Sequence, residues 1–400
     1  MKYLFLIFLL LNPVSYIVNQ EIRQSQEFIF QISSIILIGA GLAFGNKSLK
    51  RDKFNLWFSL LMAWVFITYL IHLSGWSIAF NAFLGLMIYY TALKTLNKQD
   101  IQFLIKGISW VAGAGVLYLA LQYFDFDLRG IVLKDQGITP HSSFFALEAV
   151  MGGYFAIVIP LLITFSWTAF LLFIPLIFSW STGAYIGATV ATFFYLWYKR
   201  RILFWWLLIP TISAVVSFIV FIDNPMGMQG TRVAMWKIVT QDSFRKPLTG
   251  HGLDSFRVPK MKGDGRYLKP VMNNKAVKAI LTDEGLFIKG APSREMVEKF
   301  KLDGKIFDFW DHPHNEVLWL FYETGIMGLI LLGIFLYHLW QRFIKSKMSK
   351  ETVASMASIV ALFIFMQTQF PFHLARIAHI APLLLAFFYI STNNEEQILI

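Results

Sequence analysis

Four hundred residues that are 56% hydrophobic and only 15% charged, with 40 phenylalanines, exclude an ordinary water-soluble enzyme, which carries about a quarter charged residues. The net charge of +11 is a poor nucleic-acid footprint, because the basic residues are scattered over short loops rather than gathered on one face. The absence of cysteine excludes disulfides, thiolate metal sites and cysteine nucleophiles.

This composition predicts an all-α integral membrane protein. A spanning helix needs roughly 20 mostly apolar residues, because every backbone N–H and C=O in hydrocarbon must be paired within its own segment. In chain order the predicted spans are Tyr3–Val18, Phe28–Phe44, Phe54–Leu73, Ile78–Leu93, Ile101–Phe124, Phe144–Phe165, Thr168–Trp180, Thr182–Tyr198, Ile202–Ile222, Glu316–Leu339, Val353–Phe370 and Leu374–Ser391. That makes about twelve transmembrane helices: nine in residues 1–222, a partly helical extramembrane loop over 223–313, and three in 314–400. The first segment is short and follows Lys2, but no small-residue cleavage pattern follows it, so it reads as a helix rather than a secretion signal.

The stretch Phe144–Tyr198 is nearly continuous, and its division into three rests on Ser166-Trp167 and Ser181-Thr182-Gly183. Two longer helices would also fit. The positive-inside rule chooses between them. With twelve helices one side receives Lys2, Lys47, Lys50, Arg51, Lys53, Lys94, Lys98, Lys199, Arg200, Arg201, Arg342, Lys345, Lys347 and Lys350, while the opposite short loops hold only Arg23, Arg129 and Lys134. The basic side is then cytoplasmic, with both termini inside and the long loop outside.

Within that loop, Gly230–Val239 reads as an amphipathic helix with Val233, Trp236 and Val239 on one side. It is followed by the turn-rich run Pro247-Leu248-Thr249-Gly250-His251-Gly252-Leu253. Residues 273–289 have mixed character. Pro292–Phe300 starts like a short helix capped by the Ser293 hydroxyl, with Glu295 and Lys299 as an i, i+4 pair.

The chemistry concentrates in Asp311-His312-Pro313-His314-Asn315-Glu316. Pro313 suits a helix entry, which places His314 and Asn315 at the N-terminus of the tenth span. Free N–H groups there disfavour an imidazolium, leaving His314 neutral and able to accept a proton. The plainer alternative is that His314 or Asn315 merely caps the helix. Two histidines at i, i+2 without a third ligand at sensible spacing make a poor metal site. Glu316 and Glu323 lie seven apart on one helix face, and an intramembrane carboxylate such as Glu323 is either functional or paired. Arg232 opens the surface helix after the ninth span, where its guanidinium can grip phosphate oxygens bidentately or simply snorkel to lipid. Arg129, His141, Ser142, His251, His373 and Arg376 are further outward polar residues, each better read as interfacial or structural.

Gly230-Thr231-Arg232…Trp236-Lys237, Pro247-Leu248-Thr249-Gly250-His251-Gly252-Leu253 and His312-Pro313-His314-Asn315…Tyr322-Glu323-Thr324-Gly325…Gly328 together resemble the O-antigen ligase and polymerase superfamily of bacterial membrane glycosyltransferases, over about Ser181 to Leu332. The resemblance implies an inner-membrane enzyme that transfers a glycan from undecaprenyl diphosphate to an acceptor on the periplasmic face without metal or other cofactor. It implies His314 as the catalytic position and Arg232 as the diphosphate contact, with Asn315, Glu323, His312 and His141 in support. The acceptor would be a lipid A core sugar for a ligase, or a growing polysaccharide for a polymerase, with membrane lipids as neighbours.

One departure is visible. Relatives commonly carry Ser-Arg-Gly-Ala where this chain reads Ser181-Thr182-Gly183-Ala184, so the second diphosphate-gripping arginine is replaced by Thr182, and Arg129 and Arg376 are the candidates to substitute. The rival from another class is a multi-helix lipid or glycan transporter. That would place its polar residues near the bilayer midplane on broken helices, whereas here they gather at the outer rim.

Overall fold

The computed structural model describes residues 1–14, 22–49, 52–124, 148–164, 166–179, 181–198, 236, 239–256, 258–261, 307–310, 313–369 and 378–393. The regular elements of the described chain are helices, except for one pair of short strands. In order the elements are α1 (Lys2–Val14), α2 (Ile22–Phe44), α3 (Lys53–His72), α4 (Trp76–Thr95), α5 (Lys98–Tyr123), α6 (Glu148–Ile163), a 3-10 turn (Trp167–Leu172) running into α7 (Phe173–Phe178), α8 (Thr182–Tyr198), β1 (Val258–Met261), β2 (Phe307–Trp310), α9 (Glu316–Lys345), α10 (Lys350–Phe365) and α11 (Ile380–Thr392).

Five helices are long and apolar enough to cross a membrane among the described residues: Glu27–Phe44, Lys53–His72, Trp76–Thr95, Lys98–Tyr123 and Glu316–Lys345. They make the chain a multi-pass membrane protein. Shorter apolar helices occupy Lys2–Asn12, Val150–Ile163, Ala169–Phe178 and Ile380–Thr392. The near-continuous stretch read from Phe144 breaks where the serines predicted, with α6 ending at Ile163 and α8 starting at Thr182. The ninth expected span, Ile202–Ile222, lies outside the described residues.

The chain divides into two compact units. The first comprises Met1–Asn55, Phe83–Val220 and Tyr337–Ile400. Its centre is α6, where Met151, Phe155 to Ile159 and Leu161 are wholly buried, as expected for a helix that is apolar all round. α8 and α10 pack against it and against each other. Small residues on α8 permit close approach: a Cβ on Gly187 would meet the Ala361 carbonyl oxygen at 2.9 Å. α5 opens with a reciprocal cap in which Asn97 accepts from the Asp100 N–H and Asp100 accepts from the Asn97 N–H. Arg342, one of the cations expected on the basic side, donates to Asp52 Oδ2 (2.8 Å), Thr392 Oγ1 (2.7 Å) and Asn393 Oδ1 (2.5 Å), with its guanidinium 3.9 Å from the Tyr389 ring centroid.

The second unit comprises Leu56–Ala82 and Phe221–Leu336. Its core is built from Val65, Ala79 and Leu253 on one side and from Val239, Phe256, Trp319 and Tyr322 on the other, all buried. Part of the expected surface helix is present: Trp236 and residues 239–243 are helical, Thr240 Oγ1 donates to the Trp236 carbonyl, and Ser243 Oγ donates to that of Val239. β1 and β2 pair antiparallel, Val258 opposite Trp310 and Met261 opposite Phe307. This strand pair was not legible as such in the sequence, and it joins the stretch after Phe256 to the stretch before Pro313. The expected helix over Pro292–Phe300 lies outside the described residues.

Candidate functional site

The turn carrying His314 is shaped by its neighbours in sequence. α9 begins at Glu316, and Asn315 is its N-cap: Asn315 Oδ1 accepts from the Leu318 N–H (3.0 Å), while the Asn315 carbonyl takes the first intrahelical bond, from the Trp319 N–H (2.9 Å). Asn315 therefore supplies the cap, and His314 stands one residue before it. His314 is half-buried and has φ 51, in the left-handed region where histidine is among the few tolerated side chains. Pro313, buried, accepts a hydrogen bond from Trp236 Nε1 at 2.8 Å. Trp236 follows Arg232 by four residues in sequence, so this bond ties the arginine motif to the histidine motif through their flanking residues.

Backbone strain concentrates here. Among the described residues, the non-glycine residues with positive φ are Leu73, Asp254 and His314, all in the second unit. Such conformations persist only where the surroundings over-determine them, and they gather at functional sites.

The two glycine-containing motifs interlock. Gly325 has φ 72 and ψ −171 and interrupts α9, in a backbone region open essentially to glycine alone. In an unbroken helix the Ile326 N–H would serve the Tyr322 carbonyl; here it donates to Pro247 O (2.7 Å) instead. The carbonyls around the break find other donors. Tyr322 O accepts from the His251 N–H (2.9 Å), Glu323 O from the Gly252 N–H (3.1 Å) and Thr324 O from Trp64 Nε1 (3.0 Å). Gly250 (φ 70) lies so close to Glu323 that a Cβ would strike the Glu323 backbone, and a Cβ on Gly325 would strike that of Leu248.

Glu323 is buried, and its Oε1 accepts the Asp254 N–H at 2.6 Å. Of the two readings of this carboxylate, the structure shows pairing with the loop backbone for this oxygen. A broken helix is also what the transporter alternative calls for; here the break is bonded to the Pro247–Gly252 run and to Trp64.

Under the same loop His251, expected to be interfacial or structural, meets an acid that the sequence did not single out. Asp242 is 2% exposed. Its Oδ1 is 3.2 Å from Arg245 Nη1, and its Oδ2 is 3.3 Å from His251 Nε2. The His251 nitrogen is closer to the Asp242 carbonyl, at 3.1 Å, and only that contact has hydrogen-bond geometry, since Oδ2 makes no hydrogen bond among the described residues. The His251 ring stacks on Tyr322, centroids 4.4 Å apart and planes within 8°. Burial pushes the Asp242 carboxyl up to about 6, against the pull of Arg245 and Lys246. Burial also lowers His251, opposed by its bond to the Asp242 carbonyl and aided by Lys246, His72 and Arg245. The signal for Asp242 was present in the sequence, an acid three residues beyond Val239 on a helix whose buried side also includes Ser243.

The structure brings His314, Asn315, Glu323, Trp236 and His251 into one unit. Arg232, His312, His141, Arg129 and Arg376 lie outside the described residues. Thr182 is the first residue of α8, and the next residue, Gly183, abuts the Thr368 side chain. No group of His, Asp and Glu side chains able to hold a metal occurs among the described residues.

No curated protein matches this chain. Residues 167–333 match the family model described as O-Antigen ligase. That stretch includes Thr182, Arg232, the Pro247–Leu253 run, His314 and the Glu323-Thr324-Gly325 break, and it stops short of Arg376 and begins after His141. Over this stretch the chain is similar to the O-antigen ligase family, which supports its resemblance to the O-antigen ligase/polymerase superfamily.

Proposed function

We propose that this protein is an inverting, metal-independent glycosyltransferase of the inner membrane that moves an O-antigen-type glycan from undecaprenyl diphosphate to a lipid A core sugar on the periplasmic face. The observation that carries the reading is the His314 turn: an imidazole in a strained left-handed residue, just ahead of a helix capped by someone else and pinned through Pro313 to the tryptophan of the arginine motif. A residue needed only for capping would not be held so. The family match over 167–333 supports the class of reaction.

In the proposed step the acceptor hydroxyl attacks the anomeric carbon from the side opposite the diphosphate. A carbon–oxygen bond forms as the bond to the diphosphate oxygen breaks, and undecaprenyl diphosphate leaves with the electron pair. The hydroxyl proton passes to the His314 imidazole. Arg232 balances the negative charge that builds on the leaving diphosphate, a charge-stabilising role that needs no displacement of the group during reaction.

The test is His314→Asn, because asparagine tolerates the left-handed backbone but cannot take the proton. Transfer from a polyprenyl-diphosphate glycan to purified acceptor should fall by about 10²–10⁴-fold while the protein inserts normally. Wild-type transfer by this variant refutes the mechanism. In cells lacking the protein, lipid-linked chains left unligated identify the lipid A core as acceptor; core capped with single repeats identifies a polymerase instead.

A further inference from the structure

Resting on the transferase reading above, we infer that Glu323 is a positioning residue: its carboxylate, acting on the Asp254 N–H, holds the Pro247–Asp254 segment against the broken end of α9 and thereby fixes where His314 stands.

The argument starts from the break. Gly325 cuts α9 into a stretch Glu316–Thr324 and a stretch Ile326–Lys345. The second, about 20 residues and so roughly 30 Å, suffices to cross a bilayer without the first. The first has nine residues, too few to hold a helix firmly in water by propensity alone. Its direction must come from what docks on it. Asn315 closes its N-terminal end, and at the other end four groups converge: the N–H groups of His251 and Gly252 on the carbonyls of Tyr322 and Glu323, Trp64 on that of Thr324, and the Asp254 N–H on the Glu323 side chain.

The last of these differs from the others. It is the one made by an acidic side chain, and a carboxylate at 3% exposure is costly to keep where an apolar residue would pack. Its donor, Asp254, is itself in a left-handed conformation at φ 54, so a strained residue and a buried acidic side chain meet in one contact. That contact bounds the loop that begins at Pro247, whose carbonyl takes the Ile326 N–H.

The geometry makes the contact a lever. Nine residues span about 13 Å, so a rotation of roughly 5° at the Gly325 end moves the His314 end by about 1 Å, and a misplacement of about 1 Å at a reacting group costs on the order of 10²-fold in rate. Glu323 need never touch substrate to have this effect.

The experiment compares Glu323→Met, Glu323→Gln and Glu323→Asp with wild type in full-length protein reconstituted in nanodiscs, measuring kcat and KM for a polyprenyl-diphosphate glycan across pH 5.5–9 as an approximate window around the imidazole range. Gln keeps an oxygen that can accept from Asp254; Met does not. Positioning predicts that E323M loses roughly 10–10²-fold in kcat with KM nearly unchanged, that E323Q recovers to within about fivefold of wild type, and that the pH profile of E323Q keeps its shape. If E323Q is as inactive as E323M, or loses a limb of the pH profile, Glu323 is moving a proton and the inference is overturned. Full kcat in E323M also overturns it. Should E323M fail to insert, E323D decides: its shorter carboxylate is drawn back from Asp254, and a wild-type kcat there counts against positioning as a loss of kcat alone counts for it. His314→Asn run in parallel separates the two ideas. Absence of transfer by wild type removes the transferase reading itself and an active H314N removes the role of His314 on which the inference rests, whereas an active wild type and an inactive H314N beside an active E323M remove only the role of Glu323.

Discussion

Gly325→Ala is the sharpest structural test of how the two motif runs are joined. At φ 72 and ψ −171 an alanine sits in a backbone region that costs about 1–3 kcal/mol. Its Cβ would also fall on the Leu248 backbone and within 2.8 Å of Gly250 N, so the loop must move away. Moving it puts at risk the bonds from Ile326 N to Pro247 O, His251 N to Tyr322 O and Gly252 N to Glu323 O, each worth about 1 kcal/mol net. Together these give a loss of roughly 4–6 kcal/mol. The matched control is Gly333→Ala on the same helix, where a Cβ meets nothing within 4 Å and alanine should be neutral or stabilising by up to about 1 kcal/mol. Denaturant unfolding of the purified variants in micelles, with hydrogen exchange followed at His251, Gly252 and Ile326, reads both effects. Equal stability of the two variants, or undiminished protection at those three amides in G325A, would show that the loop does not depend on the break.

The buried acid gives a pH signature. The folded Asp242 carboxyl titrates at about 6 instead of its ordinary 3.8, so the folded state holds that proton more tightly than the unfolded chain does. Its contribution to stability is full below about pH 3.8 and is lost as pH rises through about 6. Asp242→Asn should therefore stabilise the protein at pH 7 by on the order of 2–3 kcal/mol and flatten stability between those two pH values; an unchanged slope in the variant refutes this. His251 runs in the opposite sense, its lowered value giving stability above its ordinary 6.5 that is lost as pH falls. Trp236→Phe removes the donor to Pro313 O, costing about 1 kcal/mol and, by loosening the His314 turn, lowering transfer roughly tenfold; an unaltered rate would separate that bond from the site.

The sequence alone carried the membrane class, because a deficit of charge and long apolar runs follow from the pairing demand of backbone groups in hydrocarbon. It placed most helix positions within a few residues, including the division of Phe144–Tyr198 at its serines, and it picked out the His-Asn and Pro-Leu-Thr-Gly runs as special. It left open whether His314 or Asn315 caps α9, whether Glu323 is paired, and why two glycine-rich runs some 70 residues apart belong together. The cap turns on the backbone conformation at His314, and the other two on which N–H meets which oxygen across the fold; neither periodicity nor local propensity encodes such partners. The strand pair was hidden for the same reason, since four-residue strands separated by about 45 residues leave no local pattern. Only the folded chain decided that Asn315 is the cap, that Glu323 grips Asp254, and that Asp242 is buried beneath His251, because the first depends on the backbone turn at His314 and the other two on how the loop packs on α9.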